Sequence, residues 1–142
     1  MLVRCLYASR ASGPVTAAVM DRILEQSRRN NVKFGVTGLL CVSEDIYIQV
    51  LEGGRDEVGD LFSRIIRDDR HTHVRLLAFQ EIPERHFGSW TMGQVNASKI
   101  NPSLLLKYSD RAALNPFGCP ARATMALLEE LVSTAAIATR GN

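Results

Sequence analysis

A glutamine lies at the centre of a stretch whose other residues are typical of a buried strand. Residues 46–51 read Ile-Tyr-Ile-Gln-Val-Leu, and β-branched and aromatic residues of this kind favour a strand in a protein core. The Gln49 amide offers two hydrogen-bond donors and an acceptor oxygen. Burying it without partners costs roughly 1–3 kcal/mol. We therefore expect other polar groups to reach Gln49, and these groups indicate where the chemistry of the chain takes place.

The first candidate partner of this amide is a tyrosine. Residues 2–9 are predicted to form a strand in which the odd-numbered positions, including Tyr7, share one face. If this strand pairs with the strand of Gln49, the phenol and the amide lie side by side. Asn31, at the polar end of helix 1, and Arg64, on helix 2, would approach from the same side of the sheet.

Together these side chains predict a slot between two helices, with the tyrosine and the glutamine as its floor. Its walls would be apolar side chains: Ile23, Leu24, Ile65 and Ile66. A slot of this composition suits a flat heteroaromatic ligand with polar edges.

Each polar residue of the slot also has a simpler interpretation by itself. Tyr7 can be a structural tyrosine near a strand end. Asn30 and Asn31 can form the C-terminal cap of a helix. Arg64 can form a solvated ion pair with Asp68, four residues further along the chain. It is the joint pattern, together with the buried glutamine, that favours a binding site.

The predicted order of elements is strand–helix–strand–strand–helix–strand–strand, which indicates an α+β protein with a ferredoxin-like βαββαββ plan and a five-stranded sheet. The predicted strands cover residues 2–9, a segment that follows residues 34–38 and runs to about 42, a segment from 46 that ends at Gly53-Gly54, and residues 74–79 and 90–95. The helices between them end near residues 30 and 66. These two helices should share one face of the sheet. A short helix at 101–108 and a last helix from about 122, with an apolar stripe at Met125, Leu128, Leu131, Val132 and Ala135, should cover the other face.

Length and composition limit the classes of protein that this chain can represent. With 142 residues, 46% hydrophobic and 23% charged, it is predicted to be a soluble domain over residues 1–97 with a helical C-terminal extension, residues 98–142, for output or oligomerisation. No apolar run approaches the roughly 18 residues of a membrane span, and no signal peptide is evident, so we expect a cytoplasmic protein and no membrane partner. A net charge of +2 argues against nucleic-acid binding. Three cysteines without ligand spacing indicate no metal site.

Six short motifs, in order along the chain, carry a resemblance to a known family. They are Tyr7-Ala8-Ser9, Ser27-Arg28-Arg29-Asn30-Asn31, Gly35-Val36-Thr37-Gly38-Leu39-Leu40, Gln49-Val50-Leu51-Glu52-Gly53, Asp69-Arg70-His71 and Trp90-Thr91-Met92-Gly93. In this order and spacing, over residues 2–96, they resemble BLUF domains, the blue-light sensors that use FAD. The segment from residue 98 resembles the C-terminal helices of short, stand-alone members of the family.

The resemblance implies a flavin between helices 1 and 2. Tyr7 would be the electron and proton donor to the excited flavin, and Gln49 would bridge Tyr7 to the N5/O4 edge of the ring. Asn31 would hold the O4/N3 edge, with Asn30 and Arg64 as further polar contacts. The remaining cofactor-binding candidates are Ile23, Leu24, Ser27, Arg28, Ile65, Asp68 and His71. The residues themselves do not distinguish FAD from FMN.

The resemblance also implies a light-driven cycle. Electron and proton transfer from the tyrosine would lead Gln49 to rotate or tautomerise, which gives a red-shifted signalling state. Trp90 and Met92 would relay the change to the fifth strand. Two-residue spacing puts both on one face, and which of them faces the flavin stays open.

A light-induced change of this kind has to be passed on to an effector. The sequence shows no catalytic output motif, so we expect a photoreceptor that is not itself an enzyme. Its partner would be a separate effector protein, either a cyclic-di-GMP enzyme or a response-regulator-like protein, and the resemblance implies a homo-oligomer. Two alternatives compete: an acylphosphatase-like hydrolase, with residues 9–13 as its phosphate cradle, and a ferredoxin-like small-ligand regulatory domain without photochemistry.

Overall fold

The computed structural model describes residues 1–133, apart from the side chains of Asn96 and Ser98. Within that range the strands are β1 (Leu2–Ala11), β2 (Thr37–Ser43), β3 (Ile46–Gly54), β4 (His71–Ile82) and β5 (Gly93–Asn96). The helices are α1 (Ala17–Phe34), α2 (Arg55–Arg67), α3 (Pro102–Tyr108) and α4 (Ala121–Leu131). A single 3-10 turn at Ala97–Lys99 follows β5.

The strands form one sheet in the order β4-β1-β3-β2-β5. β1 runs antiparallel to both β3 and β4, β2 runs antiparallel to β3, and β5 is parallel to β2. This arrangement confirms the predicted α+β fold, a ferredoxin-like plan with one added strand.

The two faces of the sheet belong to two different apolar clusters, because successive side chains of a strand point to opposite sides. On the first side, which we call the helix face, Val3, Cys5 and Tyr7 of β1 pack with residues of α1 and α2. On the second, which we call the tail face, Leu6 of β1 packs in a cluster that includes Leu128 of α4. As predicted, the C-terminal helices cover the face opposite to α1 and α2.

Helix α1 is longer than the sequence pattern predicts. The Thr16 hydroxyl caps its first turn by accepting from the Val19 N–H at 3.2 Å. Its last turn ends at Gly35, whose φ of 68° lies in the left-handed region that glycine adopts without steric cost. Asn30 and Asn31 therefore lie inside the helix, so the alternative that they form its C-terminal cap is wrong.

The two strands after α2 differ from their predicted bounds. β4 extends over His71–Ile82 and β5 covers only Gly93–Asn96. Residues 90–92 are not part of β5, because groups of other elements donate hydrogen bonds to their carbonyls. The Trp90 carbonyl, for example, accepts from the Gly38 N–H at 3.0 Å.

The C-terminal helices follow the predicted apolar stripe as far as the structure describes it. Leu127, Leu128 and Leu131 of α4 are buried. Met125 and Val132 are partly buried against the same cluster. The last predicted position of the stripe, Ala135, lies outside the described residues. Over residues 1–133, no helix has the length and apolar character needed to cross a membrane.

Candidate functional site

A pocket of about 290 Å³ opens between α1 and α2 on the helix face of the sheet. Its volume lies near the lower end of the range for small-molecule sites, which suits a ring system better than a whole dinucleotide. The lining residues are Tyr7, Ile23, Gln26, Ser27, Asn30, Asn31, Leu40, Tyr47, Gln49, Leu61, Arg64, Ile65, Asp68, Arg70 and His71. Ten of the predicted cofactor contacts are therefore brought together at one place.

The floor of the pocket is a chain of three side chains. Tyr7 and Gln49 are directly opposite in the β1–β3 ladder, and the Tyr7 hydroxyl donates to Gln49 Oε1 at 2.5 Å. Gln49 Nε2 donates to Met92 Sδ at 3.3 Å. This confirms the predicted contact between the tyrosine and the glutamine. Burial raises the pKa of the Tyr7 phenol far above its ordinary value, so the group is neutral and keeps its proton.

The amide at the floor is only partly satisfied. A thioether sulfur is a weak acceptor, and the second N–H of the Gln49 amide has no acceptor among the described residues. A buried amide with a weak partner and an unused donor can bind a ligand acceptor or exchange partners at small cost.

Helix α1 holds the backbone of the segment that carries Met92. Asn31 is buried, and its Nδ2 donates to the Thr91 carbonyl at 2.7 Å. Arg28 Nε donates to the Met92 carbonyl at 3.2 Å. Because the Arg28 guanidinium is committed to this segment, the structure places it outside the pocket lining, in contrast to the predicted cofactor contact.

At one end of the pocket lie three titratable side chains, Asp68, Arg70 and His71. The Arg70 guanidinium donates to Asp68 at 2.6 Å, and this hydrogen bond holds the pKa of the carboxyl below its usual value. The alternative of an Arg64–Asp68 ion pair is wrong. Arg64 instead stacks over the Phe34 ring, 5.8 Å from its centroid.

His71, the first residue of β4, lines the pocket beside Tyr7 and Tyr47. Its Nδ1 lies 2.8 Å from Ser9 Oγ, and burial lowers the pKa of the imidazole, which favours the neutral ring. Ser9 belongs to strand β1 and not to a loop. The phosphate cradle that the hydrolase alternative required at residues 9–13 therefore begins inside the sheet.

Trp90 and Met92 lie on opposite sides of the sheet, so the expectation that they share a face is wrong. Met92 packs in the helix-face cluster beside Gln49, and Trp90 packs in the tail-face cluster. The two-residue rule fails here because residues 90–92 are not part of a strand. Met92 is therefore the one in contact with the pocket floor.

Three buried polar atoms around this segment lack a hydrogen-bond partner among the described residues: Trp90 Nε1, Thr91 Oγ1 and Arg28 Nη2. Unsatisfied buried groups are rare in folded proteins, and each calls for an explanation. Their clustering next to the one weakly bonded amide of the floor indicates a segment that is poorly satisfied in this arrangement.

Two predicted wall residues do not line the pocket. Leu24 is buried in the helix-face cluster below it, and Ile66 is 53% exposed. Conversely, five lining residues were missed: Gln26, Leu40, Tyr47, Leu61 and Arg70. Spacing could have found two of them, since Tyr47 lies two residues before Gln49 on the same strand and Leu61 lies one helical turn before Ile65.

The fold and the pocket together define an α+β domain with a pocket between two helices whose size and lining suit a small planar ligand. No group of three side chains suited to a metal ion occurs in the described part of the chain.

Comparison with known proteins identifies the family to which this domain belongs. A family model described as "Sensors of blue-light using FAD", the BLUF family, matches residues 2–93. Photoactivated adenylate cyclase subunit beta of Euglena gracilis is 33% identical over 92 residues, which is 64% of this chain and 11% of that protein. The chain therefore spans about a ninth of the length of this curated relative.

Two solved structures show the same fold. "BlsA photo-activated state" is 27% identical with a TM-score of 0.83, covering 98% of this chain and 100% of the other. The structure of Klebsiella pneumoniae BlrP1 with FMN and cyclic diGMP is 26% identical with a TM-score of 0.66, covering 72% of this chain and 28% of that one.

The chain belongs to the BLUF family of blue-light sensors, whose members bind a flavin. The pocket between α1 and α2 is the candidate site for that cofactor.

Proposed function

We propose that this protein is a blue-light photoreceptor that holds FAD between α1 and α2, with Tyr7 and Gln49 as its photoactive pair. The observation that carries the proposal is the chain of contacts from the Tyr7 hydroxyl through Gln49 to Met92 at the pocket floor. It joins an oxidisable phenol, an amide that can reverse its donor and acceptor, and the segment leading into β5.

The donor and acceptor groups of the pocket fit the polar edge of an isoalloxazine ring. The unused N–H of Gln49, a buried donor aimed at no protein acceptor, suits a ring nitrogen or carbonyl oxygen. Further polar contacts would come from Ser27, Asn30, Asn31, Arg64, Asp68 and His71, and Ile23 and Ile65 would pack against the ring faces. The choice of FAD rests on the family description, since the BlrP1 structure contains FMN.

When bound, the flavin absorbs blue light and becomes an oxidant strong enough to accept an electron from a nearby phenol. Tyr7 would supply this electron, and its phenolic proton would pass through the hydrogen bond to Gln49 Oε1 and on to the reduced ring. Gln49 then rotates or tautomerises, so that its oxygen and its N–H groups exchange roles. The electron and the proton would then return to Tyr7, and the glutamine, kept in its new arrangement, would offer the polar edge of the ring a different set of hydrogen-bonding groups.

The same rearrangement releases Met92, whose sulfur is only a weak acceptor for the amide. Each of the three unpartnered atoms nearby costs roughly 1–3 kcal/mol. A switch from 1:99 to 99:1 needs about 5.5 kcal/mol. One hydrogen bond does not supply that difference, but a segment that gains partners at several buried atoms does. Trp90 and Met92 thus act as the relay, through the repacking of residues 90–92.

The test is spectroscopic and includes a matched pair of tyrosines. We expect the purified protein to be yellow and to show a reversible red shift under blue light. Tyr7→Phe should abolish the long-lived red-shifted state. Tyr47→Phe should retain it, because Tyr47 also lines the pocket but has no hydrogen bond to Gln49. A red-shifted state that persists in Tyr7→Phe would show that the tyrosine role is wrong, and a protein that takes up no flavin would favour the two alternatives.

We propose that residues 1–97 sense light and that residues 98–142 pass the signal to a separate effector protein. The BlrP1 structure contains cyclic diGMP and the Euglena relative is a cyclase, which supports a partner in nucleotide signalling. The contact surface would be the outer side of α4. This helix contacts the β4–β5 connection, because Glu129 Oε1 of α4 lies 2.9 Å from Nδ1 of His86 in that connection.

Hydrogen–deuterium exchange measures this output without a known effector. Light should change the exchange of the α4 amides (Ala121–Leu131), and Glu129→Gln should reduce the change while the red shift stays intact. Identical exchange of α4 in the dark and in the light would remove it from the signalling route. Deleting the tail is a poorer test, because α4 buries Leu128 and Leu131 against the sheet.

A further inference from the structure

Strand β4 forms one edge of the sheet and exposes apolar side chains there. It is 12 residues long and pairs on one side only, with β1. Leu76 is 51% exposed and Phe79 is 41% exposed. A long edge strand with exposed apolar residues presents unpaired backbone groups to another strand, and natural proteins usually blunt such edges. The opposite edge, β5, has only four residues.

A bulge brings the two exposed side chains to the same face. In the β1–β4 ladder Leu76 is opposite Tyr7 and Phe79 is opposite Cys5, with a register shift between Leu6 and Tyr7. Tyr7 and Cys5 both belong to the helix face. Leu76 and Phe79 therefore also point to the helix face, although three residues separate them and a regular strand would place them on opposite faces.

The geometry points to a homodimer in which two copies of β4 pair antiparallel around a two-fold axis, so that Leu76 of each copy lies opposite Phe79 of the other. Such an interface is isologous, since the same strand serves on both sides. It would extend the sheet from five strands to ten, and it places the interface one strand away from Tyr7.

The register follows from the faces of the side chains. Residues opposite each other in an antiparallel pair lie on the same face. With Leu76 opposite Phe79, the flanking pairs obey this rule: Arg75 with Gln80 on the tail face, and Val74 with Glu81 on the helix face. No like charges are directly opposed. A slip of one residue would set Leu76 opposite Ala78 or Gln80, which both lie on the tail face.

The oligomeric state of the full chain tests the interface. Sedimentation velocity should show a reversible dimer, and Leu76→Glu or Phe79→Glu should weaken the association by roughly tenfold or more, because each buries a carboxylate opposite an apolar side chain. Leu106→Glu is the matched control, since Leu106 on α3 is 55% exposed, and it should associate like the wild type. The far-ultraviolet circular dichroism of every variant verifies folding.

Cysteine pairing tests the register. In a Cys119→Ser background, a mixture of Leu76→Cys and Phe79→Cys proteins should form a mixed disulfide under oxidised glutathione, because opposed strand positions are about 4.5–5.5 Å apart. Either protein alone should crosslink at least several-fold less, since two copies of position 76 are offset by about 10 Å along the strand.

Three results would overturn the proposal. The first is a wild-type monomer at every concentration. The second is an unweakened dimer in both glutamate variants. The third is a mixture that crosslinks no better than its separate components.

Discussion

The connection between β4 and β5 is held in opposite ways at its two ends. At the first end, the fully buried Glu52 carboxylate accepts from the backbone N–H groups of His86 and Phe87 at 3.1 and 2.6 Å, and from Arg4 Nε at 2.8 Å. The Arg85 guanidinium adds bonds to Thr37 Oγ1, to the Glu52 carbonyl and to the Gly35 carbonyl.

At the second end, Trp90 Nε1 and Thr91 Oγ1 are two of the four buried side-chain atoms without a hydrogen-bond partner in the described residues, and a third belongs to Arg28, which contacts this end. Among the described residues, this end is joined to the Tyr7–Gln49 pair by one side-chain hydrogen bond, from the Gln49 amide to the Met92 sulfur. The carbonyls of residues 90–92 do accept hydrogen bonds, but Trp90 and Thr91 each keep a buried side-chain atom without a partner, so we take the first end as the fixed end and the second as the movable end. Under the proposed function, a rearrangement at Gln49 would shift residues 90–92 while Phe87 stays in place, and the movement would pass into β5 and the tail face.

The largest expected effect concerns the movable end and its trigger. Gln49→Leu should fold and bind flavin but lack the normal red shift, because a leucine cannot exchange donor for acceptor. Difference absorption spectra before and after blue light measure the loss. Gln26→Leu, on the rim of the same pocket, is the control and should keep the shift. A normal red shift in Gln49→Leu would remove the glutamine from the mechanism.

The next largest effect concerns the fixed end. Glu52→Gln removes one partner of a buried ion pair with Arg4, which costs about 3–5 kcal/mol of the free energy of unfolding. Urea denaturation monitored by circular dichroism measures it. The control Glu81→Gln breaks an exposed ion pair with Arg55 and should cost less than about 1 kcal/mol. Equal losses in both variants would contradict the description of this end as the fixed one.

A threonine-to-valine substitution should change the free energy of unfolding in opposite directions at the two ends. Thr91→Val removes a buried hydroxyl that lacks a partner and should stabilise the protein by about 1 kcal/mol. Thr37→Val removes the hydroxyl that accepts from Arg85 Nη1 at 2.8 Å and should destabilise it by about 1 kcal/mol. Thermal and urea unfolding give both values. If both variants shift in the same direction, the contrast between the ends does not hold.

The smallest expected effect is a pH dependence of the folding stability, caused by His71 at the end of the pocket. Burial lowers the pKa of His71 in the folded protein, and the charges of Asp68 and Arg70 act on it in opposite directions. The unfolded chain binds this proton near the ordinary value of about 6.5. Stability should therefore be complete above that pH and fall below it, by less than about 1.4 kcal/mol per pH unit, until the pH passes the lowered pKa.

The measurement for His71 is the midpoint of urea unfolding between neutral and mildly acidic pH. His71→Asn should flatten the acid decline, and His73→Asn, at an exposed position, should leave it unchanged. An identical decline in His71→Asn and the wild type would assign it to other groups.

Much of the fold could be predicted from the sequence, because hydrophobic period and turn residues are local signals. They identified the order of five strands and two helices, the pairing of β1 with β3, and the tail as the cover of the second face. They failed at residues 90–92, where contacts from α1 and β2 override the strand pattern. They also missed Arg70, whose place in the pocket depends on its bond to Asp68.

The sequence by itself indicated that polar groups had to reach Gln49, because burying its amide without any partner costs roughly 1–3 kcal/mol, and it gave Tyr7 as the first candidate. Tertiary structure alone decided what lies beyond that pair. Whether Met92 or Trp90 reaches the amide depends on backbone contacts made by residues some sixty positions away, such as Arg28 and Asn31. Which face of the sheet each β4 side chain points to likewise depends on a bulge in the ladder between β4 and β1. No local periodicity of the sequence encodes this bulge.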